Sequence, residues 1–466
     1  MQTPNLLHLA NIAIVITTLF TAMLPGSAVA QETPQQPQGA PSEAGDAPVA
    51  APQEVVPPVV ETTPVTEQVP PVIDSATPTP AVETPPPLDA TEPPPVQQAE
   101  QPNAPRRPVT LTIATWGGAY GQAQNRAIFS PYEKTSGDQI EMARYDGTLA
   151  SVQKQAASAS SAWDVVDVNS AVAAQACEQG LLEPLDAARL LNTGDSGEAD
   201  FISGAIKPCA VGSVAWSAVM IYNKNTFAKR IPVTLKDLFD LKAFPGKRAL
   251  PKGPKYNLEI ALMADGVEPA AVYETLATAE GLERAFRKLD QIKKAIIWWD
   301  MAATPVSQVG KAEAAMGIGF NGRAFHAIMA NQQPIGVIWD GQIYDMDYWA
   351  IPKGAQSLSA ALDFIRFASA PERLAAQTRY LPYGPVRVSA LAQVGKHSEL
   401  NIDMKVHLST TPENMKRALA ANEDWWRVNE ADISEAFNAW LITTTAEDPV
   451  KAEPQNPRDR RARSRN

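Results

Sequence analysis

A chain of 466 residues with 45% hydrophobic residues and a formal net charge of −11 is long enough for two or three domains. The charge is uneven, and the part from Pro108 to Val450 carries only −6. This mildly acidic balance argues against a nucleic-acid-binding protein and favours a soluble protein outside the cytoplasm.

The amino terminus has the pattern of a secretory signal peptide. An apolar run covers residues 11–24, and the small residues Ala28 and Ala30 follow it, as before a cleavage site. We therefore expect residues 1–30 to be a cleaved signal peptide and the mature protein to lie in the periplasm. The alternative is an uncleaved anchor, for which the apolar run is short.

Residues 31–107 are predicted to form a disordered, proline-rich acidic linker. They contain eleven acids, two arginines and no aromatic residue, so they cannot bury a core. Runs of proline, as at residues 85–87, exclude both helix and sheet. The arginine-rich tail at 446–466 is expected to be a disordered, solvated basic segment.

Cys177 and Cys209 are the only cysteines of the chain. Two cysteines of an exported protein usually pair, because the bacterial periplasm is oxidising. We expect a disulfide between them, and the alternative is a pair of buried thiols.

The folded part opens with a strand, a glycine turn and a helix. Leu111 and Ile113 alternate as in a strand, Trp116 with two glycines ends it, and residues 119–132 have helical spacing. This order is typical of the first unit of a parallel α/β sheet, whose strand ends bind ligands. Further strand–helix units complete a doubly wound lobe. Their predicted strands are residues 139–145 and 163–168, and their predicted helices are residues 148–159 and 171–179.

A long β segment at residues 211–222 predicts a crossing from one lobe to another, because it exceeds the length of a compact strand. The later predicted strands are residues 296–300, 314–320, 335–339 and 343–351. The later predicted helices are residues 235–241, 257–264, 269–276, 281–294, 324–331, 358–368, 371–378, 412–422 and 430–441. Lobe 1 is therefore expected at 108–214, lobe 2 at 215–342, and a return to lobe 1 with the last helices at 343–445.

Six short motifs occur in a fixed order along this part of the chain. They are TWGGAYG at 115–121, WDVVDV at 163–168, FPGKRAL at 244–250, FNGR at 320–323, WAIPKG at 349–354 and LPYGP at 381–385. Their order and spacing over residues 111–441 resemble the extracytoplasmic solute-binding component of bacterial ABC importers, and most of all its spermidine/putrescine-type branch.

The resemblance implies an α/β fold of the type II periplasmic-binding-protein kind, with two doubly wound lobes joined by a hinge. It also implies a monomeric receptor that is not an enzyme and has no cofactor. Such a receptor closes on a small ligand and passes it to an ABC permease in the inner membrane.

The resemblance also indicates the walls of the ligand site. The matching positions are Trp116, Asn169, Trp299, Phe320 and Tyr383. Aromatic faces suit the methylene groups and the positive charge of an alkyl-ammonium ligand. For Trp116 the alternative role is plain core packing.

Carboxylates are the expected partners of the ammonium groups of such a ligand. Asp146, Asp300 and Asp347 each lie beside a predicted strand end or turn and are the candidates. The alternative for each is a turn or cap role. This reading predicts a polyamine-like ligand such as putrescine or spermidine.

One stretch departs from the polyamine pattern. Where polyamine binders have carboxylates before the first long helix of lobe 2, residues 251–257 read PKGPKYN. Lys252 and Lys255, together with backbone N–H groups at a helix start and Arg323 at another helix start, would attract an anion. Asn321, which begins that second helix, is a further candidate ligand-binding residue. A zwitterionic ligand, such as an amino-acid derivative or an opine, then fits as well as a diamine. The alternative is a solvated basic loop.

Two other classes of function stay open. Residues 317–322 match G-x-G-x-x-G between a strand and a helix, and Asp340 lies near the spacing of a ribose-binding acid, as in a dinucleotide-binding enzyme. The late position of this motif and the short helix after it argue against that reading. A protein with a long arm and no ligand would instead be an envelope-tethered scaffold. The four histidines have no metal-ligand spacing, so no metal site is expected.

Overall fold

A computed structural model describes residues 107–158, 160–191 and 198–443. The predictions of a signal peptide at 1–30, a linker at 31–107 (apart from its last residue) and a basic tail at 446–466 lie outside the described residues. Within the described ranges, no helix is both long and apolar enough to cross a lipid bilayer.

Ten strands of the described chain form one mixed sheet. They are β1 (Thr110–Thr115), β2 (Gln139–Arg144), β3 (Val165–Asn169), β4 (Ile206–Lys207), β5 (Ala210–Asn223), β6 (Arg248–Pro251), β7 (Ile296–Trp299), β8 (Met316–Phe320), β9 (Ile335–Ala350) and β10 (Leu419–Ala420). The order across the sheet is β2-β1-β3-β9-β5-β8-β6-β7, with β4 beside β5 and β10 beside β9.

Helices cover this sheet in both lobes. They are α1 (Gly118–Gln124), α2 (Ser130–Ser136), α3 (Leu149–Ala156), α4 (Ser170–Glu178), α5 (Ala187–Leu190), α6 (Asn257–Ala264), α7 (Val272–Leu276), α8 (Ala279–Asp290), α9 (Thr304–Gly310), α10 (Asn321–Met329), α11 (Leu358–Ala368), α12 (Pro371–Gln377), α13 (Val388–Leu391), α14 (Pro412–Met415) and α15 (Glu423–Ile442). A π-helical turn at Asn125–Phe129 joins α1 to α2, so the helix predicted at 119–132 continues to Ser136. The helix predicted at 412–422 is wrong in its second half, which forms β10.

Two long antiparallel strands connect the lobes. The first half of β5 lies beside β9 in lobe 1, where β9 also pairs with β3. The second half of β5 lies between β9 and β8 in lobe 2. The crossing predicted at residues 211–222 is therefore confirmed, and the return crossing is made by the 16-residue strand β9.

The prediction of two separate strands at 335–339 and 343–351 is wrong. Gly341, at φ +71°, lies opposite a register shift between Ala218 and Met220 of β5. The extra residues form a bulge, which bends a strand without ending it. Residues 335–350 therefore remain one continuous strand through the hinge.

Each lobe has its own hydrophobic core. The lobe 1 core includes Leu111 and Ile113, the alternating residues of β1, both fully buried. The lobe 2 core includes α6, whose eight residues are all buried. Helix α15 was predicted with the return to lobe 1, but its aromatic face, with Trp426 and Trp440, packs into the lobe 2 core. The helical spacing of these apolar residues predicts a buried face without indicating which core receives it.

A disulfide joins Cys177, at the end of α4, to Cys209, just before β5. The two Cα atoms lie 5.7 Å apart, and 32 positions separate the residues in sequence. This bond confirms the predicted pairing and ties the third strand–helix unit to the start of the crossing strand. In the chain-entropy model, a loop of this length adds about 3 to 4 kcal/mol of stability.

The lobe 2 core contains a carboxyl group with no exposed surface, that of Glu259 in α6. Its Oε1 accepts a hydrogen bond of 2.7 Å from the indole N–H of Trp426, while Oε2 has no partner. Burial raises the pKa of Glu259 from its ordinary 4.5 to about 7. The folded protein therefore binds this proton more tightly than the unfolded chain, so stability falls as pH rises from about 4.5 to about 7.

We expect Glu259→Gln to make the protein more stable above pH 7, because glutamine keeps the acceptor for Trp426 and has no proton to lose. A pKa raised by some two and a half units corresponds to about 3 kcal/mol. The gain should vanish near pH 4.5. Urea unfolding at several pH values measures it, with Glu413→Gln, on an exposed surface pair, as the matched control. An equal effect of Glu259→Gln at pH 5 and pH 8 would contradict this account.

Candidate functional site

The carboxyl ends of β1 and β3 in lobe 1 and of β6, β7 and β8 in lobe 2 face the space between the lobes. Open α/β sheets bind ligands at these ends. We call this space the interlobe cleft, and β5 and β9 cross beneath it. Of the residues predicted as its walls, Trp116, Asn169, Trp299 and Phe320 all lie at or just after such strand ends.

An aromatic cluster centres on Phe320, at the end of β8. The ring centres of Trp216, Tyr256 and Trp299 lie 5.6, 5.9 and 6.3 Å from that of Phe320. We call these four residues the Phe320 cluster. Tyr256 precedes α6 at φ +68°, a conformation that is strained for a residue other than glycine and typical of functional sites. Trp216 and Tyr256 were missed by the sequence analysis, because nothing local connects them to Phe320.

Trp116 stands at the end of β1, where it was predicted. Its ring packs edge-on against Tyr145, with centres 5.2 Å apart, and lies over Gly147. A Cβ atom at Gly147 would approach the ring to 2.8 Å, so only glycine leaves room for it. The indole N–H of Trp116, like that of Trp299, has no acceptor. Two unpaired donors thus stand at the strand ends of opposite lobes.

The three predicted carboxylates have different surroundings. Asp146 accepts hydrogen bonds from Thr148 and Ser151, so it stabilises the start of α3. These bonds lower the pKa of Asp146 and correspond to the alternative cap role. Asp300 is exposed after β7. Asp347 is only 8% exposed, in the part of β9 that pairs with the end of β3 in lobe 1.

Asp347 has a second buried carboxylate beside it, Asp167 of β3, which the sequence analysis missed. Asp167 has no exposed surface and accepts hydrogen bonds from Tyr120 at 2.8 Å, Gln124 at 2.5 Å and Ser213 at 3.1 Å. Burial raises the pKa of Asp167 to about 7 against the effect of these bonds. Burial and then the charge of Asp167 hold the pKa of Asp347 well above its usual range. The sequence signal that could have indicated Asp167 is an acid within an otherwise apolar strand, as in WDVVDV.

Tyr383 lies near both α1 of lobe 1 and α10 of lobe 2. Its ring centre lies 6.0 Å from that of Tyr120 on α1, and its hydroxyl lies close to Gly322 of α10. Burial and then Asp347 raise the pKa of Tyr383 to about 12, while Arg323 opposes them. Asp347 and Arg323 therefore both act on the same phenol, and Arg323 is itself exposed at the start of α10.

The two asparagines predicted for the site hold backbone in place. The side-chain oxygen of Asn169 accepts a hydrogen bond of 2.9 Å from the N–H of Val172 and caps α4. The buried Asn321 accepts from the N–H of Ser217 and donates to the carbonyl of Pro382. It thereby joins lobe 2 to the crossing strand and to the segment with Tyr383.

The basic loop before α6 carries less free charge than its sequence indicates. Lys255 forms an ion pair with both carboxylate oxygens of Glu423, at 2.5 and 2.7 Å. This charge is neutralised by the start of α15, which is 168 residues away in sequence. Lys252 is exposed. The prediction that Lys255 attracts a ligand carboxylate therefore has a competing partner in the structure.

The glycines of the G-x-G-x-x-G motif have packing roles. A Cβ at Gly317 would lie 2.5 Å from the carbonyl oxygen of Ala249 on the neighbouring strand. Gly322 gives room to Tyr383. Asp340 accepts a hydrogen bond of 2.8 Å from the N–H of Leu235 and lies 3.4 Å from Arg417. These contacts account for the motif without a dinucleotide.

The chain matches a known protein family and a known protein. The model of the bacterial extracellular solute-binding proteins matches residues 127–404. A gamma-aminobutyric acid-binding protein of Pseudomonas aeruginosa is 38% identical over 331 residues, which cover 71% of this chain and 90% of that protein.

Two solved structures are similar over nearly their whole length. An ABC transporter substrate-binding protein from Bradyrhizobium japonicum is 28% identical, with a TM-score of 0.61 over 71% of this chain and 99% of that one. The periplasmic binding protein AgtB of Agrobacterium tumefaciens, in complex with agropinic acid, is 30% identical, with a TM-score of 0.54 over 72% of this chain and 100% of that one.

The close approach of Gly322 to Tyr383 provides a test of the cleft. We expect Gly322→Ala to displace Tyr383, because the added Cβ would lie 2.7 Å from its hydroxyl oxygen. Since alanine favours a helix, the fold should persist while the affinity for a ligand of the cleft falls about tenfold or more. Calorimetry measures the affinity and thermal unfolding the stability.

Gly121→Ala in α1 is the matched control, because its Cβ would meet only a Thr115 methyl group at 3.6 Å. Equal affinities of wild type and Gly322→Ala would show that Tyr383 does not form a wall of the site.

Proposed function

The chain belongs to the family of bacterial extracellular solute-binding proteins, and from this premise we propose that it is the periplasmic receptor of an ABC importer for a small zwitterionic amine. It captures the ligand in the interlobe cleft, closes by bending at β5 and β9, and presents the closed form to a membrane permease.

The observation that carries the proposal is the pair of opposite charges around Tyr383. Asp347 lies buried on the crossing strand, and Arg323 is exposed at the start of α10. Asp347 raises the pKa of the Tyr383 hydroxyl and Arg323 lowers it, which supports a site in which both act near Tyr383. A ligand with an ammonium group at one end and a carboxylate at the other pairs with Asp347 and Arg323 respectively.

The Phe320 cluster supports the same class of ligand. Three aromatic rings whose centres lie 5.6 to 6.3 Å from that of Phe320 would, together with Phe320, present apolar surface to the short aliphatic chain between the two charged ends. The ion pair between Lys255 and Glu423 leaves Arg323 as the better candidate for the carboxylate.

The relatives support a carboxylate-bearing ligand over a polyamine. Gamma-aminobutyric acid has one amine and one carboxylate, and agropinic acid is also named as an acid. Neither ligand is a polyamine, so the expectation of putrescine or spermidine has no support from these two proteins. The zwitterionic alternative therefore takes its place.

Thermal unfolding with a panel of compounds tests the ligand class. We expect 4-aminobutyrate, longer ω-amino acids or opines to raise the unfolding temperature, because a ligand at a hundred times its Kd adds about 2.7 kcal/mol. Putrescine and spermidine should have much smaller effects. A shift with diamines alone would contradict the zwitterion and restore the polyamine reading.

Arg323→Ala should weaken the binding of the carboxylate-bearing ligand found in that panel. A hydrogen-bonded charge pair contributes about 1.5 to 3 kcal/mol, so we expect a loss of roughly tenfold or more in calorimetry. Lys252→Ala, which removes another exposed cation near the cleft, is the matched control and should bind like wild type. Weaker binding by Lys252→Ala but not by Arg323→Ala would instead show that the basic loop binds the carboxylate of the ligand.

A further inference from the structure

Two carboxyl groups are buried side by side beneath the cleft. Asp167 of β3 has no exposed surface, and Asp347 of β9 is 8% exposed. In the antiparallel register Asp167 pairs with Trp349 and Asn169 with Asp347, so the two acids lie two positions apart on neighbouring strands. At such diagonal positions the side chains are roughly 7 Å apart at their bases and interact directly. Two carboxylates at this range, shielded from water, do not both stay ionised.

The hydrogen-bond donors distinguish the two acids. Asp167 accepts from Tyr120, Gln124 and Ser213, and three donors stabilise a carboxylate in its charged form. For Asp347, Trp216 is the one side-chain donor that lowers the pKa. The negative charge of the pair therefore resides on Asp167, and the proton resides on Asp347. The raised pKa values of both groups agree with this arrangement.

Other titratable groups surround Asp347 on several elements. On its own strand they are Asp345 and Tyr348, on α1 Tyr120, after β2 Tyr145, and across the cleft Tyr383 with Arg323 behind it. Four of these are phenols whose own pKa values are raised by burial, so they stay neutral at physiological pH. Asp345 accepts from Ser170 and faces the pair of Lys255 and Glu423. Arg323, which lowers the pKa of Tyr383, is exposed at the start of α10.

We propose that Asp347 holds a proton while the cleft is empty and releases it to solvent when the ammonium group of the ligand binds, with Asp167 as the positioning residue that keeps this proton on Asp347. The O–H bond of the Asp347 carboxyl breaks, its proton passes to water, and the carboxylate left behind accepts N–H bonds from the ammonium group. This inference rests on the proposed function, since it requires a ligand with a cationic amine.

Proton release makes capture dependent on pH in a defined direction. Below the pKa of Asp347 in the empty protein, each ligand must displace one proton, so affinity falls about tenfold for each unit by which the pH is lowered. Above that pKa the empty protein has already lost the proton, and affinity no longer changes with pH. Acidification therefore favours release of the ligand. The empty cleft also avoids an unpaired buried anion, which would attract other cations.

The test is a proton inventory by titration calorimetry with 4-aminobutyrate, or with the ω-amino acid that binds best. Titrations at each pH from 5 to 8 use two buffers with different ionisation enthalpies, and the difference in heat counts the protons released. The amine and the carboxyl group of the ligand titrate outside this window, so they add nothing to the count. We expect close to one proton per ligand at pH 6, and a matching tenfold change in Kd per pH unit.

Three substitutions assign the proton. Asp347→Asn should weaken binding at least tenfold and abolish proton release. Asp167→Asn should lower the pKa of Asp347, so that release at pH 7 shrinks towards zero and affinity becomes independent of pH. Asp345→Asn removes a buried carboxyl group from the same strand, two positions away, which raises the pKa of Asp347 less than Asp167 does, so it should reduce proton release less than Asp167→Asn.

The possible outcomes distinguish a failure of the proton-release inference from a failure of the proposed receptor function. Binding without proton release between pH 5 and pH 8 would overturn the inference and leave the receptor function intact. Loss of proton release in Asp345→Asn but not in Asp347→Asn would also overturn it. Failure of every zwitterionic amine to bind would overturn the proposed function, and the proton-linked capture with it.

Discussion

The antiparallel pairing of β5 with β9 is the constraint on which the site depends. Both strands run from one lobe into the other. Strand β5 carries Ser213 and Trp216, and strand β9 carries Asp347. A hydrogen-bonded ladder is stiff, but this one has register shifts at Gly212 and after Ala218. Bulges of this kind are places where a sheet bends. The lobes can therefore rotate while the polar groups beneath the cleft keep their partners.

Local sequence patterns were sufficient to predict the strand ends, the crossing strand and the disulfide around the candidate site. Trp116 and Phe320 each end a strand of alternating or buried residues, and the rule that parallel strands bind ligands at their carboxyl ends places both in the cleft. The length of the apolar segment at 211–222 indicated the crossing, and the cysteine pair followed from the expected compartment. Each of these inferences uses residues that are close in sequence or a property of the whole chain.

The charge state of the residues in the candidate site depends on contacts with distant parts of the chain, which no local sequence pattern contains. Asp146 and Asp347 look alike in sequence, yet Asp146 accepts hydrogen bonds in the turn before α3 and Asp347 is buried beside a second acid. Lys255 looks like an anion site until α15 brings Glu423 to it from the far end of the chain. The fate of a charged residue is thus decided by its partner, and partners from distant segments become known only when the chain is folded.

The partner of each charged group therefore matters more to the proposed ligand than the number of charges. Lys255 is neutralised by Glu423, Asp146 is held in a turn, and Asp167 is saturated with donors. Arg323 is exposed, as are Lys252 and Asp300, whereas Asp347 is buried beside a second carboxyl group. Because a nearby cation favours the ionised form of a buried carboxyl group, the proposed ammonium group would be recognised by the charge that it allows to form on Asp347. Under this proposal, the burial that raises the pKa of Asp347 in the empty protein is also the source of selectivity for an amine.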